Sequence, residues 1–198
     1  MIEIPKQAKA LIFDLDGTVA DTMQNHFIAW RKAISPYGID FNAALFMDLT
    51  GMPRLATIEK LNEMFGTKMD PLEVGNAKSS YYNKLAHLTE EISIVTDVVI
   101  KYHTILPMAI GTGSTKIGAE ETLEIIKMVK YFNIVITADD ISNPKPHPET
   151  FLKCADFMGV KPEDCVVFED GILGMQAAKE AGMMVIDVNE YYKLEFTI

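Results

Sequence analysis

Short apolar runs that end in acidic or small polar residues recur along the chain. Ala10-Leu11-Ile12-Phe13 runs into Asp14, Pro107-Met108-Ala109-Ile110 into Gly111-Thr112-Gly113-Ser114, and Ile134-Val135-Ile136 into Thr137-Ala138-Asp139-Asp140. Cys165-Val166-Val167-Phe168 leads into Glu169-Asp170, and Met184-Val185-Ile186 into Asp187. Runs this short, apolar on both pleat faces, predict strands of a parallel sheet covered on both sides. Between them, residues 117–130, 148–158 and 171–181 carry apolar positions at helical spacing. Pro148 suits a first helical turn, Asp170 is the expected N-cap of the last helix, and Gly182 its stop. Strand and helix in alternation predict an α/β fold, a doubly wound parallel sheet. Ligands of such sheets bind outside the carboxyl ends of the strands, where each of these polar clusters falls.

One stretch breaks the alternation. After the first strand, residues 26–34, 55–65 and 72–88 show only helical patterning, which predicts a helical domain inserted there. The expected division is a core of residues 1–18 and 89–198 and a helical cap of residues 19–88. The stretch from about Glu90 to Tyr102 reads as helix or strand, and Tyr191-Tyr192 falls in a tail of no clear pattern.

Composition narrows the function classes. With 198 residues, 48% of them hydrophobic and 23% charged, the chain has the make-up of a soluble globular protein, not of a disordered or fibrous one. Its 28 acidic against 18 basic residues give a net charge of −10, which disfavours nucleic acid and anionic membrane surfaces as partners. A phosphorylated small molecule stays possible, because one metal ion and a few cations outweigh a distant field. Cys154 and Cys165 both lie in apolar runs and are expected to be buried thiols. No basic stretch followed by an apolar run opens the chain, and no apolar run is long enough to span a bilayer. The expected setting is therefore cytoplasmic, with no obligate protein partner evident.

Asp14-Leu15-Asp16-Gly17-Thr18 carries the most chemistry. Carboxylates at i and i+2 on an extended chain point the same way, and two such charges need a counter-ion. Hard oxygen ligands favour Mg²⁺. A calcium-binding loop starting at Asp14 fails, since its sixth and twelfth positions are Val19 and Asn25. Glu169-Asp170 supplies a second acidic pair that completes a cluster fit for one Mg²⁺. Gly111-Thr112-Gly113-Ser114 is not a dinucleotide fingerprint, because Lys116 stands where the third glycine belongs. A small hydroxyl and open backbone amides beside a helix start suit a phosphate oxygen. Lys145, between Pro144 and Pro146, is a stiffly mounted cation suited to the same group.

These four motifs, in this order and strand context, resemble the haloacid-dehalogenase-like phosphotransferases over essentially the whole chain. The resemblance implies Asp14 as the nucleophile that takes the phosphoryl group and Asp16 as general acid and base. It also implies Mg²⁺ held by Asp14, the Asp16 main-chain carbonyl and Asp170, with Glu169 at or near the metal. Thr112, the Gly113 amide and Lys145 would hold the phosphoryl oxygens, with Leu15 and Ser114 as further substrate-binding residues. Within the superfamily the chain is most similar to β-phosphoglucomutase and its related small sugar phosphatases. Asp21-Thr22, His26, Trp30, Arg54 and Lys78 fall where the mutase carries hinge and cap residues, so His26, Arg54 and Lys78 would contact substrate, with Trp30 as packing. Asp16-Gly17-Thr18 and the segments around Thr112 and Glu169 lean to the fructose-1-phosphate and 6-phosphogluconate phosphatases. The expected activity is thus Mg²⁺-dependent hydrolysis of a small sugar phosphate, with the mutase as the alternative. A phospho-accepting signalling domain shares an α/β sheet with similar strand-end residues but lacks an insertion after its first strand.

Overall fold

The computed structural model describes residues 2–194 and 196. The chain divides into two compact units. One comprises the residues up to Asp21 together with Glu90–Leu194, the other Thr22–Thr89 together with Phe196.

The first unit is built on β1 (Ala10–Phe13), β4 (Met108–Gly111), β5 (Val135–Ile136), β6 (Cys165–Glu169) and β7 (Met184–Asp187), numbered with β2 (Ala20–Asp21) and β3 (Glu90–Glu91). The five form one parallel sheet in the order β5-β4-β1-β6-β7, so the strand order reverses at β1. Alternate residues of β1 serve two cores. Leu11 and Phe13 pack with Ile110, Val166 and Phe168 on one face, Ala10 and Ile12 with Ala109, Phe151 and Val167 on the other. Burial on both faces explains the unbroken apolar runs. The sheet is the α/β doubly wound arrangement expected. Its helices are α5 (Ser93–Tyr102), α6 (Lys116–Ile125), α7 (Glu149–Met158) and α8 (Ile172–Glu180).

Several boundaries differ from expectation for visible reasons. The helix expected to reach residue 130 ends at Ile125, because Lys127 adopts φ 60° and closes a left-handed turn. There the amide of Lys127 donates to Glu124 and that of Met128 to Leu123. Glycine is the usual residue in such a turn, so nothing in the sequence announced the stop. A lysine in this conformation costs about 1–2 kcal/mol, partly offset by the greater freedom glycine would have in the unfolded chain. Lys127→Gly should therefore raise the unfolding temperature by about 2 °C. Calorimetry that shows no rise would mean the lysine side chain contributes as much as its backbone costs.

Asp170 does not cap α8. Gly171 holds the N-cap position, and the amides of Gly171 and Asp170 donate to Glu169 Oε1 at 2.9 and 3.2 Å. The ambiguous stretch after residue 89 is both structures in turn, a two-residue strand and then α5. β2 and β3 pair antiparallel, with Ala20 opposite Glu91 and Asp21 opposite Glu90.

The second unit is helical throughout: α1 (Met23–Ile34), α2 (Ala43–Leu49), α3 (Arg54–Phe65) and α4 (Pro71–Leu85) among the described residues. The Asn42 side chain caps α2, accepting from the Leu45 amide at 3.0 Å, and Asp70 caps α4, accepting from Glu73 at 2.8 Å. Phe27, Trp30, Phe41 and Phe46 form its aromatic centre, and Phe196 sits 5.4 Å from Phe27 and 5.5 Å from Phe46 between ring centroids. The units meet in sequence at Asp21–Thr22 and Thr89–Glu90, where the expected division stood at 18–19 and 88–89, and Phe196 groups with the helices. No described helix is long and apolar enough to cross a membrane.

Candidate active site

The chain leaves β1 at Asp14 and turns at once. Leu15 sends its side chain into the core, while its carbonyl accepts from the amides of Val19 and Ala20 at 3.0 and 2.9 Å. Only the backbone of Leu15 is therefore available to a ligand. Gly17 sits at φ 89°, and a Cβ there would fall 2.7 Å from the carboxyl carbon of Asp170. Both facts require glycine at this position. The next residue, Thr18, is fully buried and donates its hydroxyl to Asp170 Oδ1 at 2.9 Å.

Asp14, Glu169 and Asp170 form a buried group whose carboxylate oxygens lie within 4.8 Å of one another. Lys145 reaches into it from the β5–α7 connection, donating to Asp14 Oδ1 at 2.6 Å and Glu169 Oε2 at 2.7 Å. Its ammonium also lies 4.6 Å from the centre of the Phe151 ring. The connection that carries Lys145 is pinned by Glu149, whose carboxylate accepts from the amides of Ser142 and Asn143 at 3.0 and 2.9 Å. Those bonds hold Glu149 down to about 2. Asn189 braces the other side, donating to the Asp170 carbonyl at 2.6 Å and to Asp187 Oδ1 at 2.9 Å.

The electrostatics are one-sided. Burial pushes Asp14 well above the usual carboxylate range, Glu169 adds to it, and Lys145 only partly opposes it. Burial and then Glu169 likewise raise Asp170 to about 8, against the Thr18 hydrogen bond. Lys145 is desolvated too, but Asp14 and Glu169 outweigh that and hold its pKa above the ordinary lysine value. One ammonium among three carboxylates leaves two negative charges uncompensated when all are ionised. A divalent cation with a preference for hard oxygen ligands matches both that charge and that donor set.

Asp16 is not part of this group, which corrects the expectation that Asp14 and Asp16 aim their side chains into one metal site. The turn after Asp14 sends the Asp16 carboxylate to Ser114, whose hydroxyl donates to Asp16 Oδ2 at 2.6 Å. The Ser114 amide in turn donates to the buried Thr112 Oγ1 at 3.0 Å. Gly113 is exposed between them, with open space where a Cβ would stand. The ends of β1, β4 and β6 thus carry two linked sets, Asp14–Lys145–Glu169–Asp170 and Asp16–Ser114–Thr112.

The remaining expected residues lie in the helical unit. Lys78 is buried, 2.6 Å from His26 Nδ1, with its ammonium 5.0 Å from the Tyr82 ring and 5.6 Å from that of Trp30. His26 stacks on Tyr82 at 4.2 Å. Arg54 donates to the Ser79 hydroxyl. Trp30 is buried beside Phe41, as a packing residue would be. Both cysteines are unpaired and buried, and burial raises Cys154 to about 12 and Cys165 to about 11, so neither is poised as a nucleophile.

Sequence reading passed over Thr18, Glu149, Phe151 and Asn189. Thr18 was within the motif already singled out; the others act through distant hydrogen bonds or ring contact that leave no local pattern.

A fructose-1-phosphate phosphatase of Escherichia coli, YqaB, is 39% identical over 90% of this chain and 95% of its own. β-Phosphoglucomutase of Bacillus subtilis is 29% identical, covering 92% of this chain and 84% of its own. Among solved structures, β-phosphoglucomutase of Clostridium difficile superposes with a TM-score of 0.79 at 25% identity, over 93% of each chain. Residues 11–188, from the central strand through the last strand of the sheet, match the haloacid dehalogenase-like hydrolases. With the acidic strand ends, the switch-point sheet and that match in agreement, the chain belongs to the haloacid dehalogenase-like hydrolase family.

Proposed function

We propose that this protein is a Mg²⁺-dependent phosphatase of small phosphorylated sugars, of the fructose 1-phosphate or 6-phosphogluconate kind, working through an aspartyl phosphate on Asp14. The observation that carries the reading is the Asp14 carboxylate. It is buried at the end of the central strand and held by Lys145 at 2.6 Å beside two further acids. Asp14 attacks phosphorus as the bond from phosphorus to the sugar oxygen breaks, and Asp16 gives that oxygen its proton. Water then attacks the phosphorus of the aspartyl phosphate while Asp16 takes up one of its protons. Inorganic phosphate leaves and the Asp14 carboxylate is restored. Thr112, the Gly113 amide and Lys145 hold the phosphoryl oxygens, where charge stabilisation lowers the barrier most. Mg²⁺, held by Asp14, Asp170 and the Asp16 carbonyl with Glu169 near it, would offset the charge of the carboxylates and of the phosphoryl group. The helical residues 19–88 act in this reading as the cap that selects the sugar, through His26, Arg54 and Lys78.

The mutase reading uses the same aspartyl phosphate but passes the phosphoryl group to a sugar hydroxyl instead of water. Its support is the Bacillus subtilis relative and the presence of Arg54 and Lys78. One incubation separates the two. The protein is supplied with Mg²⁺ and fructose 1-phosphate, 6-phosphogluconate or β-glucose 1-phosphate, and free phosphate and glucose 6-phosphate are measured together. Phosphate release is the expected result. Glucose 6-phosphate without phosphate would make the protein a mutase, and no product from a broad sugar-phosphate panel would overturn both.

A further inference from the structure

Gly174 is the third residue of α8 and is buried there. Glycine weakens a helix relative to alanine, and Gly174 has no left-handed φ to require it. Its reason is lateral. A Cβ at this position would overlap the carboxylate of Glu169 and stand 2.7 Å from its Cγ. The contrast with other glycines is plain: a Cβ at Gly118 in α6 would meet only Thr115 Oγ1 at 3.3 Å, and at Gly182 nothing within 4 Å.

Glu169 cannot give way cheaply. Its Oε1 accepts from the amides of Gly171 and Asp170 at 2.9 and 3.2 Å, and its Oε2 accepts from Lys145 at 2.7 Å. Leaving the notch would break these bonds together and expose a buried carboxylate to no partner. Lys145 would then keep only Asp14.

We propose that Gly174 is a positioning residue: the notch it leaves in α8 seats the Glu169 carboxylate against Lys145, and so fixes the cation and the acid cluster at the end of β6. The inference rests on the reading of Glu169 and Lys145 as part of the working site. Gly17 plays the matching part for Asp170, but its positive φ would demand glycine in any case. Gly174 is therefore the position at which the seating effect can be isolated.

The test is a double-mutant cycle of Gly174→Ala with Glu169→Ala, read first as metal-free unfolding temperature. In the wild-type background Gly174→Ala should lower that temperature by about 5 °C or more, despite alanine's better helix propensity. In the Glu169→Ala background the same change should raise it by about 2 °C, since the clash is gone and the propensity remains. Calorimetric Mg²⁺ affinity should follow: about 10- to 100-fold weaker for Gly174→Ala alone, with no further loss when it is added to Glu169→Ala. Penalties that simply add would overturn the proposal, as would a Gly174→Ala protein that is stabilised and binds Mg²⁺ like the wild type. If Gly174→Ala alone is insoluble, recovery of soluble protein in the double variant supports the seating, and failure of both refutes it. Wild-type protein that neither binds Mg²⁺ nor releases phosphate would defeat the functional reading, while the metal-free temperatures would still decide the role of Gly174.

Discussion

Asp14→Asn is expected to reduce phosphate release by on the order of 10⁴-fold or more, while the protein stays folded. The size of the effect follows from the role. An amide cannot form the acyl phosphate, and no neighbour replaces it: Glu169 and Asp170 are tied to backbone amides, Lys145, Thr18 and Asn189 through their own atoms. Stability should move the opposite way. Asp14 is a buried carboxylate whose charge is disfavoured by burial and by Glu169, so its replacement with a neutral group of the same shape removes an unfavourable charge. Metal-free Asp14→Asn should thus unfold at or above the wild-type temperature at neutral pH and beyond. A variant that keeps more than about a hundredth of wild-type turnover would exclude Asp14 as nucleophile, since general acid–base or electrostatic roles alone lose about that much. Circular dichroism on the same sample separates lost chemistry from lost fold.

The second large effect is in pH. Asp170 is raised to about 8 and Asp14 is raised well above its ordinary value, so between about pH 4 and about pH 8 the folded protein binds more protons than the unfolded chain. Stability of the metal-free protein therefore falls as pH rises through that window. The contribution of these two groups is fully present below the unfolded carboxylate pKa and is lost once pH passes their folded values. The loss should amount to a few kcal/mol, or on the order of 10 °C in unfolding temperature between about pH 5 and about pH 9. Glu149 works in the other direction, but its window lies below about pH 4, where its lowered pKa begins to matter. On the proposed reading Mg²⁺ would reverse the picture, because the ionised cluster is what would bind it. At free Mg²⁺ one hundred times Kd the gain is about 2.7 kcal/mol, and it should grow with pH as protons cease to compete. Thermal unfolding with chelator and with Mg²⁺ across this range measures both. A metal-free protein more stable at about pH 9 than at about pH 5 would mean the carboxylates are compensated by the protein alone.

The sheet was legible because its strands are buried on both faces, which leaves short unbroken apolar runs that end where the chemistry begins. Asp14, Thr112 and Glu169-Asp170 were singled out for the same reason, each standing at such an end, whereas Lys145 was marked by its flanking prolines. What escaped was set by geometry without local pattern. α2 is only seven residues long and too short for a periodic signal. The end of α6 depends on a lysine in a conformation that sequence assigns to glycine. Asp16 was placed with Asp14 by the alternation of an extended chain, but the chain is already turning there, and the carboxylate goes to Ser114 instead. Asp170 looked like a helix cap because acids usually are, whereas its partners are Thr18 and a buried acid cluster many residues away.

The pairing of β2 with β3 has a consequence for how such a chain can change. Asp21 and Glu90 are register partners on adjacent strands, so the chain leaves the sheet-bearing unit and returns to it one strand spacing away. Residues Thr22 to Thr89 are therefore one long excursion of the chain between two paired strands. Residues there can be lengthened, shortened or exchanged for another module without shifting the register of the sheet by a single residue. On the proposed reading, reaction chemistry at the strand ends and a choice of sugar made by the helical residues would then evolve on separate schedules.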